Sequence, residues 1–189
     1  MGYDFRSLST GFKYHVFIIY STIDSDFVHN ILIPILERYS FIYCIHWKDF
    51  PPGEVFTRTI VQSVYNSFKI IAVVSKNFKN SPPCQYEMNQ AQQRLMTHAD
   101  DCLIVIKIDD VNVAEVLGEP LLERSYIDYT SIWDRFWCES KLAQVLQRGV
   151  LEDKSDDCSE GKANNNSLTL ANSSGDGVQE LSCSCQSAV

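Results

Sequence analysis

Side chains that could do chemistry are spread thinly through this chain, and their spacing removes most familiar constellations. The four histidines, His15, His29, His46 and His98, are scattered, so spacing alone proposes no nucleophile–base pair. The seven cysteines (Cys44, Cys84, Cys102, Cys138, Cys158, Cys183, Cys185) lack zinc-module spacing apart from the Cys183-Ser184-Cys185 pair, and no metal is expected. Asp153, Ser155 and Asp157 space like a calcium loop. Cys158, however, stands where that loop needs glycine, and no glutamate closes the coordination. The glycines form no phosphate cradle. What remains is one acid, Glu87, and one loop, Trp47 to Glu54.

The loop reads Trp47-Lys48-Asp49-Phe50-Pro51-Pro52-Gly53-Glu54. Pro51 and Pro52 fix two φ angles, Gly53 permits a turn that other residues resist, and Asp49 can bond nearby backbone amides. Before it, Ser40 to Ile45 reads as a buried strand; after it, Phe56, Ile60 and Val64 recur at helical spacing. The loop therefore falls where a parallel strand gives way to its crossover helix, the edge at which open α/β sheets place binding sites. The plainer alternative is an ordinary βα connection with punctuation residues.

Five apolar runs of strand length position these groups: Tyr14 to Tyr20, Phe41 to Ile45, Ile70 to Val74, Cys102 to Ile106 and Tyr126 to Tyr129. Their unbroken Val/Ile content predicts strands covered on both faces, hence a parallel sheet between helices. A first helix is expected from Asp24 or Ser25, as caps, to Tyr39 with Phe27, Ile31 and Ile35 inward; Pro34 in its middle should cost about 3 kcal/mol unless the helix bends. A third helix opens at Ser81-Pro82-Pro83 and places Cys84, Met88, Ala91 and Leu95 on one face. Glu87 lies about 60° from the centre of that stripe, at the margin of the core. A short helix is expected near Val113 to Leu117. A last helix, opened by Asp134 and ending near Arg148, should bury Phe136 or Trp137 with Leu142, Val145 and Leu146.

Of 24 acidic and 16 basic residues, seven acids and two bases fall after Arg148, so this segment carries −5 and the remainder −3 of the net −8. No basic field exists to attract nucleic acid or anionic lipid. Cys44, Cys84 and Cys102 lie in or beside apolar runs, as core thiols of a reducing compartment do. No stretch is long and apolar enough to insert in a membrane, no signal peptide is visible, and Arg6 stands where a myristoylation motif needs Ser or Thr. These features predict a cytoplasmic protein. From Val150 the Asn, Ser, Asp and Gly content predicts a disordered acidic tail.

Three stretches together resemble a family. His15-Val16-Phe17-Ile18-Ile19-Tyr20-Ser21, Lys48-Asp49-Phe50-Pro51-Pro52-Gly53 and Arg135-Phe136-Trp137 are similar, in order, to the first, second and third boxes of Toll/interleukin-receptor (TIR) domains. Ser75 to Ser81 with Cys84-Gln85-Tyr86-Glu87, and Tyr126-Ile127-Asp128, resemble the animal Toll-like receptor type. The resemblance spans about residues 13–147. Two positions depart from it: Lys48 replaces the usual arginine, and Pro83 the usual tryptophan.

The resemblance implies a flavodoxin-like five-stranded parallel sheet in the order 2-1-3-4-5 with helices on both faces. It also implies an organisation of N-terminal extension (1–12), TIR domain (13–149) and tail (150–189). The implied function is an intracellular signalling scaffold of a Toll-like innate immune pathway, working by homotypic or heterotypic association with other TIR domains. Lys48, Asp49, Phe50, Pro51, Pro52 and Gly53 would form the partner-binding loop, with the Pro52-Gly53 corner as contact point. Phe50 either anchors the tip or packs back onto the domain. Phe17, Tyr20, Ser21, Phe136 and Trp137 are the box residues, and Trp137 is expected in the core. Some TIR domains cleave the nicotinamide–ribose bond of NAD+ with a glutamate on the third helix, and Glu87 matches it. The alternative function is therefore an NAD+ hydrolase with a pocket between the second-box loop and Ser21, in which NAD+ is substrate and no cofactor is needed. Otherwise Glu87 is a structural acid that caps or pairs with a neighbour.

Overall fold

The computed structural model describes residue 8 and residues 11–98, 101–118 and 125–152, the last five of these by backbone alone. Along the chain run β1 (Tyr14–Ile19), a 3₁₀ turn (Thr22–Asp24), α1 (Ser25–Phe27), a π turn (Val28–Leu32), α2 (Ile33–Arg38), β2 (Tyr43–Cys44), α3 (His46–Asp49) and α4 (Phe56–Tyr65). There follow β3 (Ser67–Val74), α5 (Lys76–Lys79), α6 (Pro82–His98), β4 (Leu103–Lys107), α7 (Val113–Leu117), β5 (Ile127–Asp128) and α8 (Ile132–Glu152). The five strands form one sheet in the expected order β2-β1-β3-β4-β5. All pairs are parallel, with Phe17 beside Cys44 and Ile70, and Ile106 beside Ile127.

Because successive strand residues point to opposite faces, each strand feeds two cores. Phe17, Ile19, Ile70, Ala72 and Val74 join Ile60, Val64, Met88 and Ala91 on the α4/α6 side. Val16, Ile18, Ile71 and Val73 join Val28, Leu32, Leu36, Leu142 and Leu146 on the α2/α8 side. Two covered faces explain why the strands read as continuous apolar runs.

Several expectations need correction. The first helix is not continuous: a π turn precedes α2, and Pro34 sits at the start of α2, where the widened turn relieves the clash of its ring with the carbonyl one turn back. Val28, Leu32 and Leu36 are fully buried there and Ile33 and the expected Ile35 nearly so, while Phe27 and Ile31 only flank the core. The second strand is two residues long and passes into α3, so Trp47, Lys48 and Asp49 are helical and the loop proper begins at Phe50.

The last helix contradicts the sequence most. Phe136 and Trp137 are exposed, and the buried stripe is Cys138, Leu142, Ala143 and Leu146. The helix also runs on through 150–152, beyond the expected start of the tail; residues 153–189 lie outside the described residues. At the other end, Phe12 packs edge-on against Phe68 at 5.7 Å, so the domain's contacts begin inside the expected extension.

Candidate functional site

The C-terminal edge of the sheet at β1 and β3 is the switch point where strand order reverses, and three polar residues tie it together. Ser75, the N-cap of α5, accepts from the Phe78 amide at 3.0 Å and donates to Asp24 Oδ2 at 2.5 Å. Asn77 Nδ2 donates to Asp24 Oδ1 at 2.8 Å. Asp24 was expected to cap the first helix; its carboxylate instead clamps the loop after β1 to the loop after β3. This joint holds Ser21 buried and leaves Ile23 fully in solvent.

The second-box segment is built outward from that edge. Asp49 Oδ2 accepts from the Ile45 amide at 2.8 Å and closes the turn of α3, the backbone role its residue type suggested. Lys48 lies 4.1 Å from the centre of the Tyr43 ring and donates to the Tyr43 carbonyl at 3.4 Å, so its stem and charge fold back along β2. Phe50 turns inward: it stacks on Phe17 at 6.5 Å and meets Phe56 at 5.5 Å and His46 at 6.5 Å. Of the two readings offered for Phe50, the structure takes the inward one. The chain from Pro51 to Arg58 is then exposed without interruption, and Gly53 has φ +88°. That left-handed conformation favours glycine even though no atom lies within 4 Å of a Cβ built there.

Beneath the loop lies an aromatic floor. Tyr20 stacks on His46 at 5.2 Å and meets His29 edge-on at 6.4 Å, and His29 lies 5.4 Å from Trp47. Glu87 of α6 is below these, only 3% exposed, which corrects its expected place at the core margin. Among the described residues no hydrogen bond or ion pair reaches its carboxyl group, so it is not the paired structural acid foreseen. Burial pushes its pKa up to about 8. Burial likewise lowers His46 and raises Tyr20, the latter partly offset by a hydrogen bond from Trp47 and reinforced by Glu87. Burial therefore favours the uncharged forms of Glu87, His46 and Tyr20. Burial also lifts Cys44, Cys84 and Cys138 to about 11, so these three are inert thiols.

Boxes one and two thus converge at Phe50, which Phe17 stacks on directly and Tyr20 reaches through His46, while Ser21 is buried nearby and Pro51, Pro52 and Gly53 stay exposed. Phe136 and Trp137 do not join them, because α8 starts beside β5 and packs on the α2 side of the sheet, whereas Phe50 packs on the α4/α6 side. Sequence reasoning missed Ile23 and Val55, exposed apolar side chains flanking the site. It also missed Arg94, whose guanidinium is buried under α4 and bonds the Val64, Ser67 and Phe68 carbonyls at 2.6, 2.5 and 3.3 Å. A signal for Arg94 existed, since it stands seven residues after Glu87 and three after Ala91 on the core-facing stripe.

Known proteins share this architecture. Toll-like receptor 6 of Bos taurus is 36% identical over 130 residues, covering 66% of this chain and 16% of that receptor. Toll-like receptor 1 of Homo sapiens is 35% identical over 147 residues, covering 73% and 19%. The chain spans less than a fifth of the length of these relatives. The TIR domain of the Toll-related receptor TRR-2 from Hydra magnipapillata superposes with a TM-score of 0.53 at 24% identity, covering 75% of this chain and 98% of that one. A TIR-STING receptor from C. gigas gives 0.54 at 23%, covering 74% and 42%. These two similarities bear on the fold alone. The model of the TIR domain family matches residues 16–146, which contain the whole sheet from Val16 onward, the second-box loop and most of α8, and the chain belongs to that family.

Proposed function

We propose that this domain is a cytoplasmic signalling scaffold of a Toll-like innate immune pathway, which associates with other TIR domains, of a receptor, an adaptor or its own kind, through the second-box loop. The observation that carries this reading is the division of labour inside the loop. Asp49 and Phe50 fasten its base to β2 and the aromatic floor, and Pro51-Pro52-Gly53 is left as a stiff, solvated corner. A segment already held in one shape loses little entropy on docking. Ile23, Trp47, Val55 and Phe56 add exposed apolar surface beside it. The net charge of −8 gives no footing for nucleic acid, and the reading needs no cofactor.

Pro52→His removes the rigid corner without touching the floor. The expected outcome is capture by a TIR partner weakened about tenfold, with a thermal midpoint within about 2 °C of wild type. Unchanged capture removes the loop from the interface, and a collapsed midpoint makes the corner structural.

A second reading, NAD+ hydrolysis, is favoured by one observation: Glu87 is a buried, unpaired carboxyl group of strongly raised pKa at the switch-point edge. In this role it would orient the ribose hydroxyls and stabilise an oxocarbenium-like transition state. The comparison that tests it is nicotinamide release by wild type against Glu87→Gln at equal folded concentration. Turnover abolished by the substitution supports the enzyme; equal background in both leaves the scaffold alone.

A further inference from the structure

Helix α8 exposes four large apolar side chains, Ile132 at 78%, Trp133 at 76%, Phe136 at 72% and Trp137 at 51%. Phe136 and Trp137 pack edge-to-face at 5.1 Å, and the pairs 132/136 and 133/137 are helical neighbours, so the four form one stripe. With aromatic side chains burying about 150–250 Å² each, the stripe exposes roughly 500 Å², at the upper end for the largest patch on a monomer.

The rest of that helical face is free of charge. At about 100° per residue, and taking Ile132 as zero, Phe136 falls at ~40°, Ser140 at ~80°, Trp133 at ~100°, Gln144 at ~120° and Trp137 at ~140°. The charges flank this face: Arg135 and Glu139 at ~300° and ~340° on one side, Lys141 and Asp134 at ~180° and ~200° on the other. Depletion of charge with aromatic enrichment is the composition of an interface core. Next to the stripe, the C-terminal half of α8 forms with Tyr39 a groove of about 600 Å³ lined by Trp137, Ser140, Ala143, Gln144 and Gln147, with Lys141 as the one charged side chain at its wall. Small and uncharged side chains at Ser140 and Ala143 leave room for a bulky guest.

We infer that this face is a self-association surface, on which two copies of the chain pack α8 against α8 in antiparallel orientation about a two-fold axis. Three features select a second copy as the occupant. Reversed about a centre near Trp137, the aromatic half of one helix lies over the groove of the other, and the same contact is made twice, as an isologous interface requires. On one flank Arg135 then faces Glu139 of the second copy; on the other Asp134 faces Lys141 of the second copy. Glu139 already accepts from Arg38 at 2.6 and 2.5 Å and Asp134 from Lys141 at 2.6 Å, and a carboxylate has acceptor sites left for a further cation. Stripe and groove together offer roughly 600 Å², below the ~800 Å² per partner of a standard stable interface, which fits a weak, concentration-dependent pair.

This surface is separate from the loop of the proposed function, because α8 packs into the core on the α2 side of the sheet whereas Phe50 ties the loop to the core on the α4/α6 side. The test is sedimentation velocity on the full chain over a concentration series, with thermal midpoints as the fold control. Wild type is expected to show a monomer–dimer equilibrium that Trp133→Ser combined with Phe136→Ser weakens about tenfold or more, and that Pro52→His leaves unchanged. Arg135→Glu and Glu139→Arg should each weaken self-association, and mixing the two variants should restore it, since only an antiparallel pair brings these positions together. A chain monomeric at every concentration, a dimer insensitive to the aromatic substitutions, a dimer abolished by Pro52→His, or a mixture no tighter than its components overturns the inference.

Discussion

Helices α6 and α8 invert what their compositions suggest. Helix α6 carries four glutamines and an asparagine, yet the side chains it buries include its only two charged ones, Glu87 and Arg94, at 3% exposure each. Helix α8 opens with two tryptophans, a phenylalanine and an isoleucine, and leaves all four in solvent. Position explains the inversion. Helix α6 lies across the middle of the sheet, against β1, α4 and α5, and the one face it covers there carries Glu87 and Arg94 among Cys84, Met88 and Ala91. Helix α8 starts beside β5, packs on the α2 side of the sheet and has one face to bury, which Cys138, Leu142 and Leu146 fill. A buried polar group on α6 therefore carries a structural or chemical burden, whereas an exposed aromatic on α8 awaits a partner.

The largest effect is expected where α6 is most demanding. Arg94 serves three backbone carbonyls between the end of α4 and the start of β3, and its guanidinium sits 5.5 Å from the centre of the Phe12 ring. Removing it leaves several buried acceptors without that donor, each costing about 1–3 kcal/mol. Arg94→Met should lower unfolding stability by about 4 kcal/mol in urea titrations. Arg94→Lys should recover only part, because one ammonium cannot span three carbonyls as a planar fork does. A loss below about 1 kcal/mol for the methionine variant would show that the helix tolerates an apolar residue there and would erase the contrast.

Glu87 sharpens the same contrast through pH. Its folded pKa, pushed up to about 8 from the ordinary 4.5, means that the folded state holds this proton more tightly than the unfolded chain. Stability falls wherever the folded state binds more protons, so Glu87 costs nothing below about pH 4.5, progressively more up to about 8, and its full penalty above. Glu87→Gln should remove that penalty. The variant should match wild type near pH 4 and exceed it at pH 9 by on the order of 3 kcal/mol. Asp110, Asp128 and Asp134, held low first by side-chain hydrogen bonds from Lys76, Thr130 and Lys141, titrate at the acid end and cancel in the difference. A difference that does not grow between pH 5 and 8 would mean that Glu87 is solvated after all.

What the sequence displayed and what it hid follow from the range of the interactions. The sheet was legible because Val16, Ile18, Ile70 to Val74 and Val105 are buried from both sides, which leaves unbroken apolar runs. The short helix Val113–Leu117 was legible because Asn112 caps it locally, accepting from the Ala114 amide. The base of the loop was legible through Asp49, whose hydrogen bond spans four residues. Hidden were the contacts made across the chain: Asp24 reaching Ser75 and Asn77 more than fifty residues on, and Arg94 reaching back to Val64 and Phe68. The depth of Glu87 depends on which elements cover α6, and no local pattern carries that. For α8 the expected Leu142 and Leu146 are buried and Val145 is half-buried, but Cys138 takes the core position expected of Phe136 or Trp137, which with Ile132 and Trp133 form a second, exposed stripe that mimics a core one.

The smallest expected effect completes the comparison. Phe136→Ser and Trp133→Ser, each made alone and measured in dilute solution, should change unfolding stability by less than about 0.5 kcal/mol, as substitutions of exposed side chains usually do. Helix propensity does not obscure the reading, because serine, phenylalanine and tryptophan rank close together. Dilution matters: a second copy that binds only the folded chain adds apparent stability by mass action, so wild type should gain on the variants as protein concentration rises. The pair of measurements therefore separates two uses of the same side chains. A loss of more than about 1 kcal/mol in dilute protein would place these aromatics in the fold of one chain and return α8 to the core role its sequence suggested, whereas a loss that emerges only with concentration places them between two chains.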